Sequence, residues 1–379
     1  MPNLRFLRPM TPRDPDEIHR AATPLELFFD LVFVVAIAQA AGALHHAIAE
    51  AHALQGLVSF VMVFFAIWWA WMNFSWFASA YDCDDLRYRV AVFVQMFGAL
   101  IFAAGVPVMF ETHAPTTATI VGYVVMRLAM VTQWLRAAAG DPDRAVAARR
   151  YALAITIVQL AWIGMFWIPQ YWGPGFVTLA ALELAIPVWA ERKSKTTWHP
   201  HHITERYGLL TLIVLGESIL SATVAIQSAL SSGEALSSLL PLIAGGWLIA
   251  CSMWWMYFDR PVHDLLTSFR KAIVWGYGHY FVFASAAAVG AGLAVNVDQV
   301  THHAKIGAVE AGAAVAIPVA VFLLCLWFLH DRPEYRQTRW FGPIAAVLVL
   351  LTPFSGHGVL LTGLIVSSIV AIKLVMSKM

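Results

Sequence analysis

Residues Glu205–Ile226 read ERYGLLTLIVLGESILSATVAI, an apolar run long enough to cross a bilayer. A membrane-spanning helix needs about 20 mostly apolar residues. Similar runs fill most of the chain: 60% of its 379 residues are AVILMFWYC, 12% are charged, and the mean hydropathy is +0.69. Soluble domains carry about 25% charged residues. The composition therefore excludes a soluble fold and predicts an all-α, polytopic integral membrane protein.

About twelve transmembrane helices are expected from the apolar runs. We place them at 25–48, 55–79, 89–110, 117–138, 150–169, 174–190, 205–230, 238–258, 272–295, 304–329, 339–353 and 357–376. The last two are the least distinct, because Pro353–Gly358 (PFSGHG) fits either a turn between two short helices or a break inside one. Residues 1–23 form a polar tail without the apolar core of a signal peptide, and we expect it to stay in the cytoplasm.

The basic residues test this layout. If the N-terminus is inside and successive loops alternate between the two sides of the membrane, 22 of the 24 Lys and Arg residues lie on the cytoplasmic side. Of the other two, Lys305 falls outside and Arg127 falls within a span. Short loops show this bias because Lys and Arg are retained in the cytoplasm. The outer loops instead carry His45, His46, Glu50, His52, Glu111, His113, Glu234, Asp298, His302 and His303. The pattern predicts that both termini are cytoplasmic.

Two parts of the chain resemble each other. ELFFDLVFVVAIAQ, from Glu26, lies beside ERYGLLTLIVLGES, from Glu205, and the later strings WMNF and WMYF follow at a similar offset. These matches favour two parallel six-helix repeats, a first half at 24–198 and a second half at 199–379. Tryptophan-rich helix ends also arise from interfacial belts, so both explanations stay open.

Four stretches are distinctive enough to indicate a family. They are TPLELFFDLVFVVAIAQ (Thr23–Gln39), WWAWMNFSWFASAYDCDDLRYR (Trp68–Arg89), HHITERYGLLTLIVLGESIL (His201–Leu220) and WWMYFD (Trp254–Asp259). Together they resemble the bacterial low-temperature-requirement A protein family. The resemblance implies a multi-pass protein of the bacterial cytoplasmic (inner) membrane, in a family named for a cold-growth phenotype. It implies no biochemical activity, so function must be argued from individual residues.

The first span carries two acidic residues on one face. A charge at the bilayer centre costs about 2.5–3.5 kcal/mol on insertion scales, so such residues usually pair or serve a function. Glu26 and Asp30 are spaced i, i+4 and therefore stack on the same side of the helix. Glu26 also fits a capping box with Thr23. Asp30 has no such explanation and needs an internal partner or a functional role.

The seventh span carries the strongest single candidate. Glu205 and Arg206 are expected at the inner mouth, whereas Glu217 lies near the midplane. Gly216 permits a kink or a close helix approach, and Ser218 can hydrogen-bond across helices. Glu217 is either a mechanistic carboxyl or a protonated or paired group that only joins helices.

Four further ionisable residues lie within the spans: Arg127, Glu183, His279 and Glu310. Arginine stays protonated in proteins, so Arg127 is expected to pair with Asp30, Glu183 or Glu217, or to contact an anion or water. Once it has a partner, acids still outnumber bases at depth. The remaining carboxyls must be protonated or bind a cation, which favours proton or cation chemistry.

Histidines and cysteines give weaker signals. His45-His46 and His302-His303 could form a zinc or pH-sensing site on the outer face, or could simply be solvated. His199, His201 and His202 are expected to anchor the inner interface. The three cysteines lack CxxC spacing, which argues against a disulfide framework or thiolate site. No metal or other cofactor is expected.

The pattern as a whole favours a secondary transporter or a proton- or cation-coupled permease. Its coupling residues would be Asp30, Arg127, Glu183, Glu217 and His279. A membrane-embedded enzyme acting on lipids is an alternative, although HExxH, GxSxG and Cys–His motifs are missing from the sequence. A channel or sensor scaffold is another. The expected partners are the lipid bilayer and a small solute, proton or cation; nucleic acid is not expected, and a homo-oligomer is left open.

Overall fold

The computed structural model describes residues 8–14, 17, 20–331 and 340–376, and these ranges contain helices and no strand. The α-helices are α1 (Pro24–Ala49), α2 (Ala53–Tyr81), α3 (Leu86–Thr112), α4 (Thr117–Gly140), α5 (Ala145–Gly164), α6 (Trp172–Ala190), α7 (Pro200–Ser231), α8 (Leu236–Phe258), α9 (Phe269–Val300), α10 (Ala308–Leu326), α11 (Phe341–Leu351) and α12 (Gly358–Met376). A helix satisfies its backbone hydrogen bonds internally, as lipid requires. The all-α membrane fold is confirmed.

Eleven of the helical segments are long and apolar enough to cross a membrane. The remaining apolar segment, Phe341–Ser355, is shorter and combines α11 with a 3₁₀ turn. At 1.5 Å per residue it spans about 22 Å, less than the roughly 30 Å hydrocarbon core. Its length explains why this part of the sequence gave the least distinct signal.

The segment after α11 is a turn between two helices. A 3₁₀ turn covers Thr352–Ser355, Gly356 has a φ of +77°, and α12 begins at Gly358. A left-handed φ is strained for residues with a Cβ, so glycine suits this position. Of the two alternatives for Pro353–Gly358, the structure therefore has the turn.

Helix starts follow local capping chemistry. Asp85 precedes α3 and its carboxylate accepts the Tyr88 N–H at 2.7 Å. Thr116 precedes α4, and its hydroxyl and that of Thr119 each accept the other residue's backbone N–H, which forms a capping box. Such caps satisfy N–H groups that have no partner inside the first turn.

The chain divides into two compact units. The first comprises residues 1–39 and 62–206, and the second comprises 40–61 and 207–379. Within the first unit, α3 and α4 pack closely, since a Cβ on Gly122 would lie 2.6 Å from Gly98 O. Within the second, α8 and α12 approach similarly, where a Cβ on Gly363 would lie 2.7 Å from Gly245 O. The six-helix halves at 24–198 and 199–379 stay a prediction.

Candidate functional site

The acidic pair on α1 faces a basic pair at the start of α7, within the first unit. Arg206 Nη1 lies 3.1 Å from Glu26 Oε1, and Arg206 Nη2 lies 2.5 Å from Asp30 Oδ1. His202 Nε2 lies 3.1 Å from the same Glu26 oxygen. All four side chains are at most 1% exposed. Two carboxyls thus face one permanent cation and one histidine.

Aromatic and capping contacts complete this cluster. The Trp71 indole N–H donates to Asp30 Oδ1 at 2.6 Å, and the Arg206 guanidinium carbon lies 6.0 Å from the ring centroids of Trp71 and Phe74. Glu26 and Thr23 also form the expected capping box, with hydrogen bonds of 2.7 and 3.3 Å. Arg206, expected at the inner mouth, is instead fully buried as the counter-ion of Asp30.

A second buried ion pair joins α4 to α6. Arg127 Nη2 lies 2.8 Å from Glu183 Oε2, and these side chains are 2% and 0% exposed. The Trp69 indole N–H donates to the same oxygen at 2.8 Å. Tyr123 OH lies 3.4 Å from Glu183 Oε1. Of the three acids considered as partners for Arg127, the structure pairs it with Glu183.

The Arg206–Asp30 and Arg127–Glu183 ion pairs lie on different sides of α2. Trp69 donates to Glu183, and Trp71 donates to Asp30. Residues two apart on a helix point about 200° away from each other. The two tryptophans therefore bring separate clusters against opposite faces of one helix.

Glu217 lies near the middle of α7, in the second unit, and has a different environment. It is 8% exposed, and the Ser221 hydroxyl donates to its Oε1 at 2.6 Å. Its Oε2 atom has no hydrogen-bond partner among the described residues. No Lys, Arg or His of the described second unit neutralises it. Glu217 therefore differs from Asp30 and Glu183, which have arginine partners.

Helix packing beside Glu217 depends on Ser218 rather than Gly216. A Cβ placed on Gly216 would meet no described heavy atom within 4 Å, and α7 continues unbroken to Ser231, so the expected kink or close approach does not occur there. The Ser218 hydroxyl donates to Ala286 O of α9 at 2.9 Å. A Cβ on Gly290 would lie 2.7 Å from Ser218 Cα, which places the close approach two residues after Gly216.

His279 belongs to an aromatic cluster of the second unit. Its Nδ1 lies 2.8 Å from Trp275 O, and its Nε2 lies 3.0 Å from Tyr257 OH. A carbonyl only accepts hydrogen bonds, so His279 Nδ1 carries the proton and Nε2 accepts from the tyrosine. The His330 ring lies 5.9 Å from the His279 ring, in the π-helical turn that follows α10.

The other predicted residues have separate surroundings. Glu205 accepts the Ala22 N–H at 3.1 Å, and Glu310 is exposed at the start of α10. His45 Nε2 lies 2.7 Å from Asp298 Oδ2, so this part of the histidine-rich region is joined to an acid. The described residues contain no group of three or more His, Cys, Asp or Glu side chains able to hold a metal ion.

Asp82, like Glu191, is an acid outside the spans whose pKa is raised toward neutrality. Burial raises the pKa of Asp82, which directly follows α2, to about 6, and the nearby Glu26 carboxylate adds to this rise. The cations Arg20 and Arg13 oppose it. Asp82 can therefore exchange a proton near physiological pH beside the segment that leads into α1.

Sequence reasoning missed two parts of this arrangement. His202 was expected to anchor the interface, yet it contacts Glu26 at zero exposure. The available signal was the spacing of four between His202 and Arg206, which matches that between Glu26 and Asp30. The indole donors Trp69 and Trp71 had no such signal, because tryptophan is common at membrane interfaces for other reasons.

The profile of the bacterial low temperature requirement A protein (LtrA) family matches residues 21–378. The chain belongs to this family. The chain is also similar to an uncharacterised protein from Rhizobium meliloti (strain 1021), at 27% identity over 255 residues. That alignment covers 62% of this chain and 57% of the relative, so the chain spans little more than half of the relative's length. No solved structure matches the chain significantly.

Membership of the LtrA family, together with the eleven long apolar helices, establishes a multi-span membrane protein in contact with the lipid bilayer.

Proposed function

We propose that this LtrA-family protein is a proton-coupled secondary transporter of the bacterial inner membrane, in which Glu217 carries the coupling proton. The observation that carries the proposal is the environment of Glu217. It is a carboxyl at mid-helix, 8% exposed, with a serine hydroxyl as its hydrogen-bond donor and no neutralising cation in its described unit. Such a group must bind a proton or a cation to lie in lipid-like surroundings.

The arginine-paired acids are proposed to be structural. Asp30 and Glu183 each contact a guanidinium, which stays charged at all physiological pH values. Neutralising Glu183 would leave the buried Arg127 without its acid, at a cost of about 3–5 kcal/mol. Neutralising Asp30 would leave Arg206 with Glu26 as its remaining acid. Fewer carboxyls within the spans are therefore without a cation than the sequence suggested. Among them, Glu217 is the one proposed to exchange protons.

A small cavity adjoins the segment of α7 that holds Glu217. It has a volume of about 140 Å³ and is bounded by α7, α8 and α9 of the second unit, with Ser218 and Thr223 in its wall. The α7 residues that line this cavity lie on the side of the helix away from Glu217, so the carboxyl does not open into it.

The enzyme alternative has less support. The paired carboxyls that an acid–base enzyme could use are Glu26 and Asp30, which share one face of α1. Both carboxyls contact Arg206, and Glu26 also serves its capping box. A general acid or base must exchange a proton directly with its substrate, whereas these carboxyl oxygens already contact Arg206 and the backbone.

The orientation with both termini in the cytoplasm remains part of the proposal.

The experiment is proton flux in proteoliposomes. Purified protein is reconstituted with entrapped pyranine, and the membrane potential is clamped with potassium and valinomycin. Amino acids, sugars, nucleosides and organic cations are added outside one at a time. We expect at least one solute class to trigger protein-dependent proton entry, and Glu217→Gln to abolish it.

The matched control is Glu234→Gln, which makes the same chemical change in the α7–α8 loop. It should retain the wild-type flux. Full solute-triggered flux in Glu217→Gln would overturn the assignment of the carrier. Absence of protein-dependent flux across all four classes would argue against transport, and saturable dependence on sodium without proton movement would replace the proton by a cation.

A further inference from the structure

A long groove lies within the second unit. Its volume is about 800 Å³, and its walls come from the end of α1, the start of α2, α9 and α10. The lining is mostly apolar and includes Ile48, Leu57, Phe281 and Ile317. Pockets for small organic ligands usually measure about 300–1,000 Å³. The groove is therefore large enough for a ligand and not merely a packing gap.

The length of the groove matches one leaflet of a bilayer. Along α10 its wall extends from Glu310 to Val321, which at 1.5 Å per residue is about 16 Å. Half of the hydrocarbon core is about 15 Å. Near the Val321 end, Tyr280 OH donates to Val61 O at 2.8 Å, a bond between α9 and α2. A single extended acyl chain would fit this space.

The other end of the groove is charged. Lys305 Nζ lies 2.5 Å from Glu50 Oε2, and these side chains are 67% and 32% exposed. The backbone N–H of Lys305 also donates to the backbone oxygen of Ala49 at 2.7 Å, and this bond fixes the loop before α10. Glu310 is exposed in the groove wall and has no ion-pair partner within the described ranges. One lysine against two carboxylates leaves one negative charge unbalanced.

Contact with the N-terminus of α10 uses only part of the hydrogen-bonding capacity of the Glu310 carboxylate. A Cβ on Gly307 would lie 2.9 Å from Glu310 Oε2, so the carboxylate folds over the N-terminus of α10, where the helix dipole favours an anion. A carboxylate has about four acceptor positions on two oxygens. Acceptor positions on the exposed Glu310 oxygens therefore remain for a hydrogen-bond donor of a lipid headgroup.

We propose that this groove binds a phospholipid with a primary ammonium headgroup, phosphatidylethanolamine. The acyl chain lies along α9 and α10, facing the end of α1 and the start of α2, while the ammonium contacts Glu310 and the phosphate contacts Lys305. Because bilayer tails are as apolar as the groove, chain burial gives little preference over bulk lipid. Selectivity must therefore come from the headgroup, and the unbalanced carboxylate selects an ammonium over an uncharged glycerol.

The experiment is native mass spectrometry of the full-length protein in detergent. Phosphatidylethanolamine, phosphatidylcholine and phosphatidylglycerol with identical chains are added at equal concentration, and bound lipid is counted for each. We expect phosphatidylethanolamine to dominate, since its ammonium donates hydrogen bonds that the trimethylated headgroup cannot. Glu310→Gln should lower its occupancy about threefold, the size of one exposed ion pair. Glu234→Gln is the matched control and should bind as wild type.

A second variant tests the groove itself. Ala284→Trp fills the wall on α9 and should lower the occupancy of all three lipids equally. If that variant does not fold, Ile317→Trp, on the 54% exposed α10 wall, takes its place. Preference for phosphatidylglycerol, an unchanged headgroup preference in Glu310→Gln, or unchanged binding in a folded tryptophan variant would each overturn the proposal. Transport plays no part in this assay, so its outcome is independent of the role of Glu217.

Discussion

Replacing Arg127 and Glu183 singly and together tests whether their contact is a structural ion pair. The guanidinium and carboxylate are 2.8 Å apart and at most 2% exposed. Removing one partner of a buried pair costs about 3–5 kcal/mol, whereas removing both is often close to neutral. We therefore expect Arg127→Gln and Glu183→Gln each to destabilise the protein, and Arg127→Gln/Glu183→Gln to recover much of the loss.

The two single variants should differ in their response to pH. Glu183→Gln leaves a guanidinium that cannot lose its proton. Arg127→Gln leaves a carboxyl that can become neutral by taking up a proton, and the cost of doing so falls by about 1.36 kcal/mol per pH unit. Between pH 7 and pH 5, Arg127→Gln should thus regain up to about 2.7 kcal/mol relative to wild type. Glu183→Gln should not.

The assay is unfolding in mixed micelles by titration with sodium dodecyl sulfate, followed by far-ultraviolet circular dichroism. Arg149→Gln, at an exposed position on α5, is the matched control and should change the unfolding free energy by less than about 0.5 kcal/mol. A double variant as unstable as the sum of the single ones would refute the ion-pair reasoning. Equal pH responses of the two single variants would refute the asymmetry.

Three further predictions concern the contacts that position the helices. Burial raises the pKa of Glu191 from 4.5 to about 6. The stabilisation by its protonated carboxyl is therefore complete below about pH 4.5 and is lost as the pH rises through 6. Relative to Glu191→Gln, the wild type should lose about 2 kcal/mol of unfolding free energy over that window. Gly122→Ala places a Cβ 2.6 Å from Gly98 O and should cost about 1–3 kcal/mol in unfolding, whereas Gly164→Ala, with open space around it, should not destabilise. Trp71→Phe removes the 2.6 Å bond to Asp30 and should cost about 1.5–3 kcal/mol, measured by the same titration against Trp167→Phe at a 71% exposed site.

Much of the fold followed from sequence because lipid leaves few alternatives. Apolar runs of about 20 residues must be helices when their backbone has no water to bond. The capping box of Thr23 and Glu26 was also visible, since its residues are local. The pairing of Arg127 was narrowed to three acids, but only helix packing decided that Glu183 is its partner.

The long-range contacts could not be derived in this way. Asp30 was recognised as needing a partner, yet Arg206 is 176 residues away in the chain. Hydropathy shows which helices exist and not which faces meet. The groove beside α10 was equally invisible, because its lining residues look like ordinary lipid-facing positions. Glu217 was the strongest single candidate from the sequence, and its lack of a cation partner became apparent only once the other acids had been paired.

The most direct test of the central claim is infrared difference spectroscopy of the protein in lipid as the bulk pH is changed. A carboxyl that carries a coupling proton must exchange it with water. We predict a protonated-carboxyl band that titrates reversibly in the wild type and in Glu234→Gln and is missing in Glu217→Gln. A Glu217 band that persists at every pH would contradict the account and leave Glu217 as a permanently protonated contact between helices.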